Sequence, residues 1–297
     1  MLYQLAGFNN QARKNMDGDS TYLSLQRKYV LLGLLILATT GCRALERKIL
    51  YNPPKYPQKW TQPTNNDLAG LSFQNVCFHS SDGTELNGWL MQPNCCDNSN
   101  AILFTHGRGE NLGSLKSNLI KFVKLHHVPV FVFDYRGFGK SEGRPNEAGL
   151  YRDATAARDW LAQHAGLAPN DIIIMGRSLG VSVAVDLAAR DGAKALILEN
   201  GLTSIPDVVC DHTHGLISGK RIVDAKFNSK CKIGHYSGPV FISHGKADKT
   251  IPFSHGAKLA SSATSASRVQ FMELDGGHQT PQPEFYHASL QNFLNSL

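Results

Sequence analysis

Most of this sequence lacks a net charge. The formal charge of +6 arises within the first 60 residues, which contain nine Lys or Arg and three Asp or Glu, whereas residues 61–297 contain 21 of each sign. A neutral body offers no electrostatic footprint for a phosphate backbone, so nucleic acid is excluded as a partner. The composition, with 42% apolar and 18% charged residues, also excludes a disordered chain, collagen and a coiled coil.

Cysteine is scarce and irregularly spaced. Five cysteines follow Cys42, an odd number, and no pair of them has the spacing of a metal site, which excludes a disulfide framework. The segment Cys210 to His214 places a cysteine and two histidines at alternate positions, but no third ligand is evident and we interpret the segment as a loop. The sequence therefore predicts neither a metal nor an organic cofactor.

A long apolar run is also missing near the start of the chain. The run Val30 to Ala38 (VLLGLLILA) has nine residues, whereas a membrane-spanning helix needs about 20 and the apolar part of an export signal about 7 to 15. Basic residues precede this run, as in an export signal. The Gly41-Cys42 pair that follows it resembles a bacterial lipobox, in which the cysteine is acylated.

This motif predicts three segments. Residues 1–41 form a lipoprotein-type signal, residues 42–67 form a tether that begins at a lipidated Cys42, and residues 68–297 form the folded domain. Such an anchor would hold the protein at a membrane of the cell envelope. The basic residues that would then face lipid headgroups are Arg43, Arg47, Lys48, Lys55 and Lys59. An uncleaved short anchor and a buried core segment are the alternatives, and Met16 is a second candidate start.

Short apolar runs recur through the folded domain, beginning near residues 101, 128, 172, 195, 240 and 269. They are continuous rather than alternating, which indicates strands covered on both faces, as in a parallel sheet. Before them, Leu71 to His79 and Leu86 to Gln92 flank a turn and predict an antiparallel hairpin. The predicted helices are Glu147 to Ala165, Val181 to Arg190, Ser254 to Ser262 and Pro281 to Leu297. The pattern predicts one α/β domain with a mostly parallel sheet and helices on both faces.

The segment Gly176-Arg-Ser-Leu-Gly180 follows a predicted strand and leads directly into a predicted helix. In this context GxSxG is typical of a nucleophile elbow, because the glycines leave room for a sharp turn that exposes the serine. We therefore predict that Ser178 is a nucleophile, the alternative being a structural glycine-rich turn.

A serine hydroxyl needs a base and an orienting carboxylate, and both should follow later strands at the same edge of the sheet. Asp248 follows the strand VFIS, and His278 follows the strand VQFMEL, so these two residues are the predicted acid and base. Asp275 is the rival acid, but it lies too close in sequence to His278 to reach behind it. His255 and His287 are the rival bases, and we interpret both as surface residues of helices.

A third strand ends at His106-Gly-Arg-Gly-Glu110, where a loop can supply backbone N–H groups. Attack on a carbonyl creates an oxyanion that needs two such donors, and we predict that they are the N–H groups of Leu179 and Arg108. His106 is interpreted as structural. Arg108 and Glu110 have the alternative interpretation of a surface ion pair.

Together these motifs resemble the α/β-hydrolase superfamily over residues 68–297. The residues that carry the resemblance are the His106-Gly107 loop, GRSLG around Ser178, Asp248 and His278. The stretch FDYRGFGKSEG at 133–143 is similar to the bem46-like branch, which includes the abhydrolase-domain depalmitoylases. The resemblance implies the α/β-hydrolase fold with a minimal cap and a serine hydrolase acting on an acyl ester or thioester. Where relatives have HGNAGN-like sequence, this chain has charged residues at 108 and 110.

The sequence thus predicts an acyl hydrolase whose partners are a small-molecule or acylated substrate and a membrane surface. Two alternatives stay open. One is a peptidase or amidase that uses the same three residues, and the other is a non-catalytic lipoprotein that uses the fold to bind a partner.

Overall fold

The computed structural model describes residues 43–95, 100–216 and 218–297. Strands within these residues are β1 (Leu71–His79), β2 (Glu85–Pro93), β3 (Ala101–Thr105), β4 (Val130–Phe133), β5 (Ile172–Arg177), β6 (Ala195–Glu199), β7 (Val240–Gly245) and β8 (Val269–Leu274). They form an eight-stranded sheet in the order β1-β2-β4-β3-β5-β6-β7-β8. The pairs β1–β2 and β2–β4 are antiparallel and all other pairs are parallel, which confirms the predicted architecture.

Helices surround this sheet. Those in the described ranges are α1 (Arg43–Leu50), α2 (Leu112–His126), α3 (Glu147–Ala165), α4 (Leu179–Asp191), α5 (Ile205–His212), α6 (Gly219–Ile222), α7 (Ser229–Ile233), α8 (Ser254–Ser262) and α9 (Glu284–Asn295). Three of them, α5 to α7, are short and lie in the connection between β6 and β7, where the sequence leaves room for a small cap.

The continuous apolar runs form strands that are buried on both faces. In β5, Ile172 and Ile174 belong to the core on one side of the sheet, together with Leu150 of α3. Ile173 points the other way and belongs to a second core that includes Leu119 of α2 and Leu290 of α9. Because successive side chains of a strand alternate between faces, an all-apolar strand requires helices on both sides.

Arg136, in the DYRG stretch, fixes the β1–β2 hairpin to the rest of the domain. Its buried guanidinium bonds to both carboxylate oxygens of Asp153 on α3, at 2.7 to 3.0 Å, and to Asp82 in the hairpin turn at 2.7 Å. A Cβ added to Gly149 would lie 2.5 Å from Arg136 Cδ. Arg136 of the DYRG stretch therefore has a structural role, and only glycine at position 149 leaves space for its guanidinium against α3.

The segment predicted as a tether lies against the domain where it is described. Leu50 and Tyr51 are buried, and Glu46 accepts hydrogen bonds from the backbone N–H groups of Asp224 and Ala225 at 2.8 and 3.0 Å. The predicted signal at residues 1–41 and the predicted lipidation site Cys42 lie outside the described residues. No helix among residues 43–95, 100–216 and 218–297 has the length and apolar character of a membrane span.

Candidate active site

Ser178 lies on a sharp turn between β5 and α4. Its backbone has φ 55° and ψ −120°, in the left-handed half of conformational space that L-residues rarely occupy. A Cβ on Gly176 would lie 2.7 Å from the carbonyl oxygen of Gly180, and a Cβ on Gly180 would lie 2.0 Å from the carbonyl oxygen of Thr105. Both glycines are therefore required for this turn, which places the serine at the carboxyl edge of the sheet.

The structure brings together the three side chains predicted from separate strand ends. Nε2 of His278 is 2.9 Å from Oγ of Ser178, and Nδ1 of His278 is 2.6 Å from Oδ2 of Asp248. Asp275, the rival acid, does not take part, because its carboxylate is 94% exposed and pairs with Lys246 at 2.9 Å. The arrangement allows the imidazole to accept the serine proton while Asp248 holds its other nitrogen.

Asp248 is held as a carboxylate by its surroundings. Oδ1 accepts the backbone N–H groups of Thr250 and Ile251 at 2.8 and 2.9 Å. Burial alone would raise the pKa of Asp248, but hydrogen bonding from His244, His278 and the Ile251 N–H outweighs burial and holds this pKa well below its usual range. An ionised Asp248 accepts the Nδ1 proton of His278 and leaves Nε2 unprotonated toward the serine.

Asn200, which the sequence analysis did not single out, supports the loop that carries His278. It has φ 48°, directly after β6. Its Nδ2 donates to the carbonyl oxygen of His278 at 3.2 Å, and its Oδ1 accepts the N–H of Gly245 at 3.0 Å. Asn200 thus joins the loop that carries His278 to the end of β7, the strand that precedes Asp248.

The two predicted oxyanion donors lie beside the serine. Leu179 is the first residue of α4, so its N–H has no partner inside the helix. The loop that contains Arg108 passes close by, since a Cβ on Gly107 would lie 3.3 Å from Cβ of Ser178. Within the described parts of the chain, neither the Leu179 N–H nor the Arg108 N–H has an acceptor. Both donors are therefore available to a ligand.

Glu110 fixes this loop by pairing with Arg177 and not with Arg108, the partner considered from the sequence. Its Oε2 accepts the N–H of Gly107 at 2.8 Å, and its Oε1 pairs with the guanidinium of Arg177, the residue before Ser178. The alternative of an Arg108–Glu110 surface pair is therefore wrong. The Glu110–Arg177 pair is largely shielded, with side chains 18% and 22% exposed, and it ties the loop to the elbow.

We expect Glu110→Ala to lower kcat for a short soluble acyl ester by about 10- to 100-fold, because a displaced loop no longer holds the Arg108 N–H where the oxyanion forms. KM should change little. Steady-state kinetics measure both constants, with Glu273→Ala on the exposed side of β8 as the matched control. A wild-type kcat for Glu110→Ala would show that the ion pair does not position the loop.

His106 and Asp134 form a buried pair beneath the loop. Nδ1 of His106 donates to the carbonyl oxygen of Gly107 at 2.9 Å, and Oδ1 of Asp134 accepts the N–H of Leu112 at 3.0 Å. Nε2 of His106 and Oδ2 of Asp134 have no hydrogen-bond partner in the described chain, and His106 Nε2 lies 3.9 Å from Asp134 Oδ1. Burial lowers the pKa of His106 to about 4 and raises the pKa of Asp134 to about 8. The pair therefore holds one proton across the neutral range.

The proton that Asp134 keeps predicts a loss of stability at alkaline pH. In the unfolded chain the imidazole releases its proton near pH 6.5 and the carboxyl near pH 4, so the unfolded pair holds one proton below about pH 6.5 and none above it. The folded pair keeps its proton to about pH 8. The contribution to the free energy of unfolding is thus flat from about pH 4 to 6.5 and then falls by about 1.4 kcal/mol per pH unit up to pH 8.

The variant Asp134→Asn isolates this effect, because the amide keeps the shape and the acceptor for Leu112 without titrating. Urea unfolding at pH 6.5 and pH 8 should show the wild type losing about 2 kcal/mol relative to the variant over this interval. Parallel pH dependences of the two proteins would contradict a protonated Asp134 at neutral pH.

The rival histidines lie away from the serine. His255 is fully buried, not at the surface as expected, and bonds to Thr203 and to Asp211, whose Oδ2 lies 2.9 Å from Nε2. His287 lies on α9 beside His126, and the two nearest ring nitrogens are 3.1 Å apart.

The segment Cys210 to His214, expected as a loop, is helical in its first half. Residues 210–212 belong to α5, and residues 213 and 214 form a turn. No group of three potential metal ligands occurs in the described residues.

The sequence is similar to known proteins over most of its length. Residues 97–232 match the model of a protein family described as serine aminopeptidase, S33. Uncharacterized protein YfhR of Escherichia coli (strain K12) is 32% identical over 214 residues, covering 70% of this chain and 74% of YfhR. Human alpha/beta hydrolase domain-containing protein 17B is 39% identical over 160 residues, 53% of each chain.

A similar fold occurs in a solved structure. The esterase Pf2001 of Pyrococcus furiosus has a TM-score of 0.64 at 19% identity, covering 82% of this chain and 99% of that one. The order of strands, the serine turn after β5 and these similarities agree. The chain belongs to the α/β-hydrolase superfamily.

Proposed function

We propose that the protein is a serine hydrolase that cleaves acyl esters or thioesters through an acyl-enzyme intermediate. The observation that carries this proposal is the hydrogen-bonded chain from Ser178 through His278 to Asp248, on an elbow whose backbone has φ 55°. In this arrangement the imidazole of His278 is the base that activates Ser178, and the carboxylate of Asp248 stabilises the protonated imidazole.

The reaction follows from this geometry in two steps. Oγ of Ser178 attacks the acyl carbonyl while its proton passes to Nε2 of His278, and the oxyanion accepts the N–H groups of Leu179 and Arg108. The C–O or C–S bond to the leaving group then breaks, and His278 returns the proton to the departing alcohol or thiol. A water molecule, deprotonated by His278, attacks the acyl-enzyme and releases the acid and the free serine.

A peptidase or amidase acting through the same residues is the second candidate, and the family description favours it. An aminopeptidase must also bind the protonated amine of its substrate. Glu110, the acid of the oxyanion loop, already bonds to Arg177 and to the Gly107 N–H, and the exposed cation of Arg108 lies in the same loop. Both features disfavour a cationic substrate and favour an acyl ester.

A substrate panel separates the two candidates. Purified protein is tested on p-nitrophenyl acyl esters of increasing chain length, on matching acyl thioesters and on aminoacyl p-nitroanilides. We expect kcat/KM for esters and thioesters to exceed that for amides by several orders of magnitude. Preferential turnover of the amides would overturn the assignment to acyl esters and leave a peptidase.

We further propose that the protein is anchored to a membrane of the cell envelope through lipidation of Cys42. The support is the sequence alone: the basic residues, the apolar run Val30 to Ala38 and the Gly41-Cys42 pair. Mass spectrometry of the protein from its native membrane tests this. An acylated N-terminal Cys42 is expected, and an unmodified Cys42 within an intact leader would reject the anchor without affecting the hydrolase proposal.

A further inference from the structure

A cluster of aromatic and basic side chains lies mainly on residues 47–66, the segment that precedes β1 and that we call the arm. We define the arm patch as Lys55, Tyr56, Lys59, Trp60 and Lys140. Tyr56 is 53% exposed, its ring is 5.5 Å from that of Trp60, and Nζ of Lys140 is 4.9 Å from the centre of each ring. The ammonium group of Lys140 thus lies against both rings, and Lys55 and Lys59 are next to these aromatic residues in the sequence.

The arm patch is held firmly by the domain. The N–H of Tyr56 donates to the carbonyl oxygen of Gly139 at 2.9 Å, and the N–H of Gly139 donates to that of Pro54 at 2.9 Å. Trp60 packs edge-on against the buried ring of Trp89 at 5.3 Å. Because backbone bonds and core packing fix the arm, the exposed Tyr56 ring is presented as part of the folded surface.

The charge of this segment has one sign. From Arg47 to Asn66 the sequence contains four basic residues and no acidic residue. The next acid, Asp67, is paired with Lys116 at 3.0 Å. The rest of the molecule beyond residue 60 is neutral overall, so the arm concentrates the positive charge of the described chain.

The arm patch also adjoins the candidate active site. Nζ of Lys59 donates to the carbonyl oxygen of Gly109 at 3.2 Å, and the N–H of Gly109 donates to that of Tyr51 at 3.1 Å. Gly109 lies between Arg108 and Glu110 in the oxyanion loop. A surface that binds the arm patch therefore lies next to the loop that contains Arg108.

We propose that the arm patch docks the domain onto an anionic lipid bilayer, which presents the active site to acyl groups at that surface. The proposal rests on the proposed acyl hydrolase function and membrane location. Aromatic rings with polar edges favour the interface between headgroups and acyl chains, and lysines beside them attract anionic headgroups. The apolar run at 30–38 precedes the arm in the sequence. Since the rest of the chain has no net charge, a nucleic acid is disfavoured as the partner.

The test compares full-length protein on vesicles of phosphatidylcholine alone and of phosphatidylcholine with 30 mol% phosphatidylglycerol. The measured quantity is the ratio of the two partition coefficients, because an N-terminal anchor contributes to both. We expect a ratio well above one for the wild type and a fall of about 30-fold for Lys55→Glu/Lys140→Glu. The matched control is Lys230→Glu/Lys258→Glu, which reverses two exposed lysines on α7 and α8 outside the arm patch, and its ratio should stay within about twofold of the wild type.

The aromatic contribution has its own pair of variants. Tyr56→Ser should lower partitioning onto the anionic vesicles by about 10-fold, whereas Phe285→Ser, which removes another aromatic ring that is 56% exposed, should not. Equal losses for Tyr56→Ser and Phe285→Ser, or an unchanged ratio for Lys55→Glu/Lys140→Glu, would overturn the proposal. Patch-dependent binding to poly(U) that exceeds binding to the anionic vesicles at equal salt would overturn it in favour of a nucleic acid.

Activity measurements separate this proposal from the hydrolase proposal. Lys55→Glu/Lys140→Glu should hydrolyse a short soluble ester and react with a fluorophosphonate at wild-type rates, while hydrolysis of an acyl ester embedded in anionic vesicles falls with binding. Wild-type rates on the embedded ester would reject the docking role alone. Absence of fluorophosphonate labelling in the wild type would reject the hydrolase function instead.

Discussion

Replacing Ser178 with alanine is expected to lower kcat on an acyl ester by a factor on the order of 10⁵, with at most a residual rate from the oxyanion donors and binding. The variant removes only Oγ, the atom 2.9 Å from Nε2 of His278. Since alanine keeps the Cβ of serine, the backbone at φ 55° carries no additional clash. Stopped assays with p-nitrophenyl butyrate measure the loss.

The matched control for this variant is Ser254→Ala, at the exposed start of α8. Its rate should equal that of the wild type, and both variants should unfold at the wild-type urea concentration. If Ser178→Ala retained more than a few per cent of the wild-type kcat, a different nucleophile or a contaminating enzyme would account for the activity.

Asp248→Asn is expected to lower kcat by about 10⁴-fold while leaving the fold intact. The amide oxygen can keep the N–H bonds from Thr250 and Ile251 at 2.8 and 2.9 Å. The amide nitrogen then faces His278 as a donor, so Nδ1 must accept and the ring proton moves to Nε2. In that tautomer the imidazole cannot accept the proton of Ser178.

Asp275→Asn tests the same chemistry at the rival acid. Its carboxylate is exposed and pairs only with the surface residue Lys246, so kcat should stay within about twofold of the wild type. Comparable losses in Asp248→Asn and Asp275→Asn would mean that neither carboxylate acts by orienting His278.

Much of the fold follows from the sequence because the strands are covered on both faces. A continuous apolar run bounded by turn residues has few alternatives to a buried parallel strand, and β1, α3 and α8 occupy the predicted residues. Helix α2 is absent from the predicted helices, although its buried Leu115, Leu119 and Val123 recur at helical spacing. Its start is set by Asn111 and Ser114, which form a capping box within what looks like a polar loop.

The arm illustrates a contact that side-chain patterns do not encode. Its Pro, Asn, Gln and Lys composition indicates a solvated tether. The structure instead fixes it through main-chain atoms, since Nδ2 of Asn111 donates to the carbonyl oxygens of Pro54 and Gln58 at 3.3 and 2.8 Å. Every residue has a carbonyl group, so such bonds leave no signature in the composition.

The candidate site likewise contains residues that the sequence predicts and contacts that it does not. Ser178, Asp248 and His278 each follow a strand at one edge of the sheet, and that rule alone proposes them. The Glu110–Arg177 pair and the bond from Asn200 to the His278 carbonyl join residues whose separation in sequence exceeds 60 positions. The pairing of β3 with β5 brings the first two residues together, and the pairing of β6 with β7 and of β7 with β8 brings the second two together. The sequence indicates the Glu110–Arg177 pair only through the charge of Arg177 next to Ser178.

The most direct test of the proposed triad is mass spectrometry of the protein after reaction with a fluorophosphonate, which forms a stable adduct only with an activated nucleophile. Peptide mapping of the wild type should place one adduct on Ser178, and His278→Ala should acquire none in the same time. An unreacted wild type, an adduct on another residue, or equally fast labelling without His278 would contradict an imidazole-activated serine at this site.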